Sequence, residues 1–208
     1  MTGALLGLAL GTFMVPAQAA SPLSVADQQT VARAEAALNS IRIIESRFIQ
    51  WSSIGGFAQG TIYVSRPGNL RIDYAPPTPL QVYGDSSWLI YLDYQLEESN
   101  QVPIDVTPAS FLVRDRLSLS DDLTVMGIER SAKQVILDVV RTEEPDAGTL
   151  RIMLDKSGLA LRGWVVIDPQ GVQTRITLIE PAFNRPIDKN VFIYSPPDWA
   201  LELQDPPQ

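Results

Sequence analysis

Read from its hydrophobic and polar positions, the chain is one amphipathic helix followed by many short strands. Val31, Ala34, Leu38 and Ile41 recur at helical spacing and put one apolar stripe on a helix of about 15 residues. Ser24, with Asp27 three residues on, opens that helix as an N-cap, like a capping box with a shortened acid. From residue 43 the period changes to two. Ile44, Ser46, Phe48 and Gln50 alternate with Ile43, Glu45, Arg47, Ile49 and Trp51. Ala58, Gly60, Ile62 and Val64 alternate with Phe57, Gln59, Thr61, Tyr63 and Ser65. Leu70, Ile72 and Tyr74 alternate with Arg71 and Asp73. Further strands are predicted over 80–83, 87–92, 97–102, 123–128, 134–140, 149–155, 160–167, 172–180 and 191–194.

Turn residues punctuate these strands. Arg66-Pro67-Gly68-Asn69 has Pro and Gly at the two central positions of a type II turn. Asp155-Lys156-Ser157-Gly158 and Asp168-Pro169-Gln170-Gly171 both end in the Gly that a type I turn or bulged hairpin favours. Strands at this spacing indicate an antiparallel sheet, sandwich or barrel. One segment breaks the rhythm, Pro103 to Leu119, where Thr107 as N-cap and Pro108 at N1 predict a short helix set between two strands.

Composition narrows the chemistry. The chain has 208 residues, neither Cys nor His, and a net charge of −8. Disulfides, thiolate or imidazole catalysis and Cys/His metal sites are thereby excluded, and no metal or cofactor is expected. The acidic balance argues against nucleic acid or an anionic membrane surface as partner. Residues 4–15 form an uncharged apolar run, followed by the Ala-x-Ala of Ala17-Gln18-Ala19, which reads as a secretory signal peptide over residues 1–20. Residues 21–208 then form a single exported domain with no membrane anchor. The carboxylate pairs Glu97-Glu98, Asp121-Asp122 and Glu143-Glu144 are adjacent in sequence. Neighbours on a strand point to opposite faces, so no such pair flanks one scissile bond, and the chain is not expected to be an enzyme.

Strand parity raises one further question. If Ile62 and Val64 face the interior, so does Arg66. A buried guanidinium needs acceptors for its five donors. Either backbone carbonyls at a helix end supply them, or the turn at Pro67 swings Arg66 into water.

In order along the chain come Phe48-Ile49-Gln50, the run from Gln59 to Tyr74 containing Ile62-Tyr63-Val64-Ser65-Arg66-Pro67-Gly68, and Gly84 followed by Trp88 and Tyr91-Leu92-Asp93. Thr107-Pro108, Asp168-x-x-Gly171-x-x-Thr174 and Phe192-Ile193-Tyr194-Ser195-Pro196-Pro197-Asp198 complete the set. This ordered set resembles the LolA-type outer-membrane lipoprotein carriers over roughly residues 45–198. The resemblance implies a mainly β fold, an incomplete antiparallel β-barrel with an α-helical lid over an apolar cavity. It also implies a monomeric periplasmic carrier. Such a carrier accepts triacylated lipoproteins from an inner-membrane LolCDE-type ABC transporter and delivers them to an outer-membrane acceptor. The missing Cys fits the soluble shuttle rather than its lipid-anchored receptor.

By the same resemblance Arg66 locks the lid, and Thr107, Pro108, Phe111 and Leu112 belong to that lid. Phe48, Ile62, Val64, Leu70, Ile72, Tyr74, Trp88 and Ile90 are the expected acyl-binding lining, with Ile72 standing where the family commonly has Trp. A half-barrel that carries or senses another lipid or glycolipid is the alternative.

Overall fold

The structure, a computed structural model, describes residues 23–202; the signal segment assigned to residues 1–20 lies outside them. Helix α1 spans Val25–Asn39, and Ser24 caps it. The Ser24 Oγ accepts the Asp27 N–H at 3.1 Å, and its hydroxyl donates to the Asp27 carboxylate at 2.7 Å. Asp27 is a methylene shorter than the usual Glu, so the box closes side chain to side chain.

Six strands follow: β1 (Ile43–Ser52), β2 (Phe57–Ser65), β3 (Asn69–Tyr74), β4 (Leu80–Gly84), β5 (Trp88–Asp93) and β6 (Glu98–Pro103). An insertion then carries a 3-10 turn, Ile104–Val106, and one helical turn, α2 (Ser110–Val113). Five more strands return: β7 (Leu123–Arg130), β8 (Gln134–Arg141), β9 (Thr149–Asp155), β10 (Leu161–Ile167) and β11 (Gln173–Phe183). A 3-10 turn, Lys189–Phe192, and helix α3 (Asp198–Glu202) end the described chain.

All strands join one open antiparallel sheet in the order β6-β5-β4-β3-β2-β1-β11-β10-β9-β8-β7. Two meanders meet where β1 pairs with β11, and their free ends, β6 and β7, are the two edges of the sheet. The insertion links those edges, so it must cross a face of the sheet. The face it crosses is the apolar one: Phe111, Leu112, Val113, Leu117 and Leu119 share one buried cluster with Leu38 of α1 and Phe48, Ile62, Val64, Leu137, Ile152 and Trp164 of the sheet. The lid position of the insertion thus follows from topology and burial together.

The outer face is covered locally by the C-terminal segment. Tyr194 stacks edge-on against Tyr83 at 5.3 Å, Trp199 against Tyr94 at 5.9 Å, and the Arg71 Nη1 donates to the Val191 carbonyl at 3.0 Å. Residues 191–194, predicted as a strand, therefore begin in a 3-10 turn. Asp188 starts that turn by accepting the Asn190 N–H at 3.0 Å, which commits the backbone to curling.

Two other expectations shift. The β2–β3 connection is a three-residue loop, with Ser65 opposite Asn69, rather than a turn spanning Arg66 to Asn69. Gly68 keeps the left-handed φ of +86° that such a turn needs. In the insertion, the helix starts at Ser110 and Thr107 does not cap it. The Thr107 hydroxyl donates backwards to the Ile104 carbonyl at 2.8 Å and closes the preceding 3-10 turn instead.

Gly60 permits the closest packing on the inner face. It lies between Phe48 of β1 and Tyr74 of β3, whose rings meet edge to face at 5.3 Å. A Cβ at residue 60 would sit 2.1 Å from the Asp73 carbonyl oxygen, which the sheet holds in place. Gly60→Ala should therefore destabilise the fold by about 1–3 kcal/mol, the usual range for overpacking. A urea melt with an unchanged midpoint would contradict this.

Candidate functional site

The site is built around the β2–β3 loop. Arg66 continues the inward parity of Ile62 and Val64 and is only 8% exposed. Its Nε donates to the Leu112 carbonyl at 2.7 Å, its Nη2 to the Phe111 carbonyl at 2.7 Å, and its Nη1 to the Leu38 carbonyl at 2.9 Å. Among the described residues, no carboxylate contacts it. Burial pulls its pKa down to about 10, with the Arg42 charge adding to the effect and Asp115 opposing it. The guanidinium remains protonated at neutral pH, held by carbonyl dipoles alone.

Those carbonyls belong to helix ends. The last carbonyls of a helix lack partners inside it and carry its negative end. Neither α1 nor α2 has a basic residue in its own last turn. The β2–β3 loop supplies the missing donors. Besides the three Arg66 bonds, the Gly68 N–H donates to the Val113 carbonyl at 2.8 Å, and Arg114 N–H bonds Ser110 at 3.1 Å. Every carbonyl of α2 is thereby satisfied, mostly from outside the helix. A single four-residue turn is not stable by itself, so α2 exists because this loop and the core hold it.

Three residues of the α1 end brace the rest of the insertion, and sequence reasoning had not singled them out. The Asn39 side chain both donates to and accepts from the Leu117 backbone, each at 2.8 Å. The Glu35 carboxylate accepts the Leu119 N–H at 2.8 Å. Arg42 bonds the Asp115 carbonyl at 2.8 Å and its carboxylate at 2.5 Å. Nothing in an isolated Glu, Asn or Arg near a helix end announces a partner some eighty residues away.

Under the insertion lies a cavity of about 260 Å³. Phe48, Ile62, Ile72 and Tyr74 line it from the sheet, and Thr107, Pro108 and Leu112 from the insertion. Val64 and Leu70 face the same side but are packed solid in the core. Phe111 is buried beside the cavity, its ring edge-on to Trp164 at 5.5 Å.

Trp88 and Ile90 do not line the cavity and are corrected here. Cross-strand partners share a face. Ile72 pairs with Val82 and Val82 with Tyr91, so the inward residue of β5 is Tyr91. Ile90 pairs with Tyr83 on the outer face, and Trp88 shares its parity. The remaining lining, Gln50, Tyr91, Ala109, Trp164, Val166, Thr174 and Ile176, was not anticipated. The even-numbered parity of β10 and β11 could have revealed Trp164, Val166, Thr174 and Ile176.

Among the described residues, no charged side chain lines this cavity. Its polar contacts are few: the Tyr74 hydroxyl donates to the side-chain Oε1 of Gln50 at 2.8 Å. Burial pushes the Tyr74 phenol up to about 12, so it stays neutral throughout the physiological range. Such a lining suits apolar ligands and offers little to ions.

The site is thus an apolar cavity on one face of an open antiparallel sheet, covered by an inserted helical turn that a buried arginine pins. The chain belongs to the LolA family, outer membrane lipoprotein carrier proteins, whose model matches residues 39–195. It is 27% identical over 193 residues to an outer-membrane lipoprotein carrier protein of Methylococcus capsulatus, covering 88% of this chain and 91% of that one. It is also 27% identical over 91 residues to an uncharacterized protein of Rickettsia prowazekii, a match covering 44% of this chain and 43% of the relative. Among solved structures, the crystal structure of MucB shares the fold with a TM-score of 0.50 at 14% identity, over 84% of this chain and 65% of that chain.

The geometry predicts that Arg66→Leu loosens the insertion without melting the sheet. Amide exchange at Gly68 and Arg114 should accelerate at least tenfold, about 1.4 kcal/mol, while β8 and β9 stay protected. Equal protection in variant and parent would show that Arg66 does not hold α2.

Proposed function

We propose that this chain is a periplasmic carrier of triacylated lipoproteins. In this reading it takes them from an inner-membrane LolCDE-type ABC transporter and delivers them to an acceptor at the outer membrane. The observation that carries the reading is the Arg66 cluster: a lid held over an apolar cavity by three hydrogen bonds and no salt bridge.

Magnitudes support such a device. Hydrogen bonds to a charged group contribute about 1.5–3 kcal/mol each, and burying acyl chain contributes about 0.8 kcal/mol per methylene. Roughly ten methylenes, less than one long chain, therefore offset the whole latch. The closed cavity, about 260 Å³, falls below the roughly 300–1,000 Å³ typical of drug-sized ligand pockets. Three acyl chains need the insertion to move aside. Closed and loaded states then compete for the same inner face, and each ligand shifts the balance by its differential affinity alone.

Two measurements test this. Incubating the protein with inner-membrane vesicles bearing the transporter, labelled lipoprotein and ATP should yield an ATP-dependent soluble 1:1 complex; cargo that stays in the vesicles would overturn the reading. Arg66→Leu removes the competitor to bound cargo, so it should load at least as well as the parent and pass cargo to acceptor membranes about tenfold more slowly. Wild-type delivery by this variant would sink the role given to Arg66.

A further inference from the structure

Among the described residues, four of the exposed large apolar side chains lie together on the β1–β2 hairpin. Trp51 is 49% exposed, Ile54 78% and Phe57 64%, with Ile49 also exposed beside them. Trp51 and Phe57 are direct cross-strand partners, Ile49 shares their face, and Ile54 occupies the tip. From Phe48 to Gly60 the sequence has no charged residue. Isolated exposed apolar residues need no explanation, but a contiguous group on an uncharged projection does.

Its place in the fold narrows the partner. The β2–β3 ladder ends at the Gly60–Tyr74 pair, so Phe57, Ala58 and Gln59 run on past the end of β3. On the other side β11 backs the hairpin as far as Thr174, opposite Ser52. Gln50, Tyr74 and Thr174, at this same end of their strands, line the cavity. The Arg66 loop joins the opposite ends of β2 and β3. The hairpin therefore stands at the end of the cavity remote from the latch, with Trp51 and Phe57 on the face of the sheet opposite the cavity lining.

We infer that the β1–β2 hairpin tip, Trp51, Ile54 and Phe57, is a lipid-bilayer contact that docks this end of the cavity on the membrane surface. This rests on the carrier reading and gives it the site where cargo would cross between membrane and cavity. The side-chain types fit: Trp favours the bilayer interface, where its ring spans apolar and polar layers, while Ile and Phe reach deeper. Arg175, the cross-strand neighbour of Trp51 on β11, places one cation beside the patch. With a net charge of −8, attraction must come from apolar insertion and not from anionic lipid.

The test uses residues 21–208 without cargo and phosphatidylcholine vesicles lacking any protein. Flotation should recover the chain with these vesicles, unaffected by high salt, and Ile54→Ser/Phe57→Ser should reduce recovery at least tenfold. Bromine-labelled phosphatidylcholine should quench Trp51 fluorescence in the parent; in Trp51→Phe that quenching should disappear. The quenching arm holds even if the double variant fails to fold.

Absence of flotation, equal flotation of parent and double variant, or binding that requires anionic lipid and vanishes in salt would each overturn the inference. So would a dimer abolished by the double variant in a chain that ignores vesicles, since the patch would then be a self-contact. Because no cargo or transporter is present, failure here leaves soluble-complex formation untouched, and failure of complex formation leaves this result standing.

Discussion

A buried guanidinium without a carboxylate is the constraint from which the rest follows. Arg66 is kept inside by the parity of β2, and its charge is tolerated only where several carbonyls converge. Helix ends are where a chain has carbonyls to spare. The ends of α1 and α2 must therefore meet at the β2–β3 loop, and that meeting fixes where the insertion lies. The dependence runs both ways: α2 is too short to persist unless the loop satisfies it.

Topology makes the arrangement economical. Two meanders back to back leave their far edges, β6 and β7, joined only by the insertion, so the chain itself draws the lid across the apolar face. The insertion is tied at α1 by Glu35, Asn39 and Arg42, and at the sheet by Arg66 and Gly68. These ties are hydrogen bonds to backbone and one exposed ion pair, each modest in worth. The sheet beneath is a continuous ladder. In the proposed cycle the lid is the weak element and the sheet the rigid one, as a carrier that must both enclose and release requires.

Much of this was legible in the residues, and the failures have physical causes. On β2 and β3 apolar and polar residues alternate cleanly, so Ile62, Ile72 and Tyr74 could be assigned to the inner face. On β5 the run Trp88-Leu89-Ile90-Tyr91-Leu92 is apolar throughout, with Trp88 and Tyr91 exposed and Leu89 and Leu92 buried. No alternation remains to set the parity, and Trp88 and Ile90 were placed on the wrong face. Burial on both faces hid Trp164 in β10, where its neighbour Val165 is buried as well. The Thr107 hydroxyl suits a cap, but α2 begins only at Ser110, so Thr107 lies too far upstream to cap it and its hydroxyl donates to the Ile104 carbonyl instead. The tethers from α1 are long-range and leave no local trace.

The central claim is that the Arg66-held lid and an acyl cargo exclude one another from the inner face. The chain lacks cysteine, so thiols introduced as Ser110→Cys on the lid and Gln173→Cys on the sheet would be the sole sites for spin labels. Double electron–electron resonance should report one short distance in the free protein and a longer one when a triacylated lipopeptide is bound. An unchanged distance distribution in the loaded protein would contradict the account.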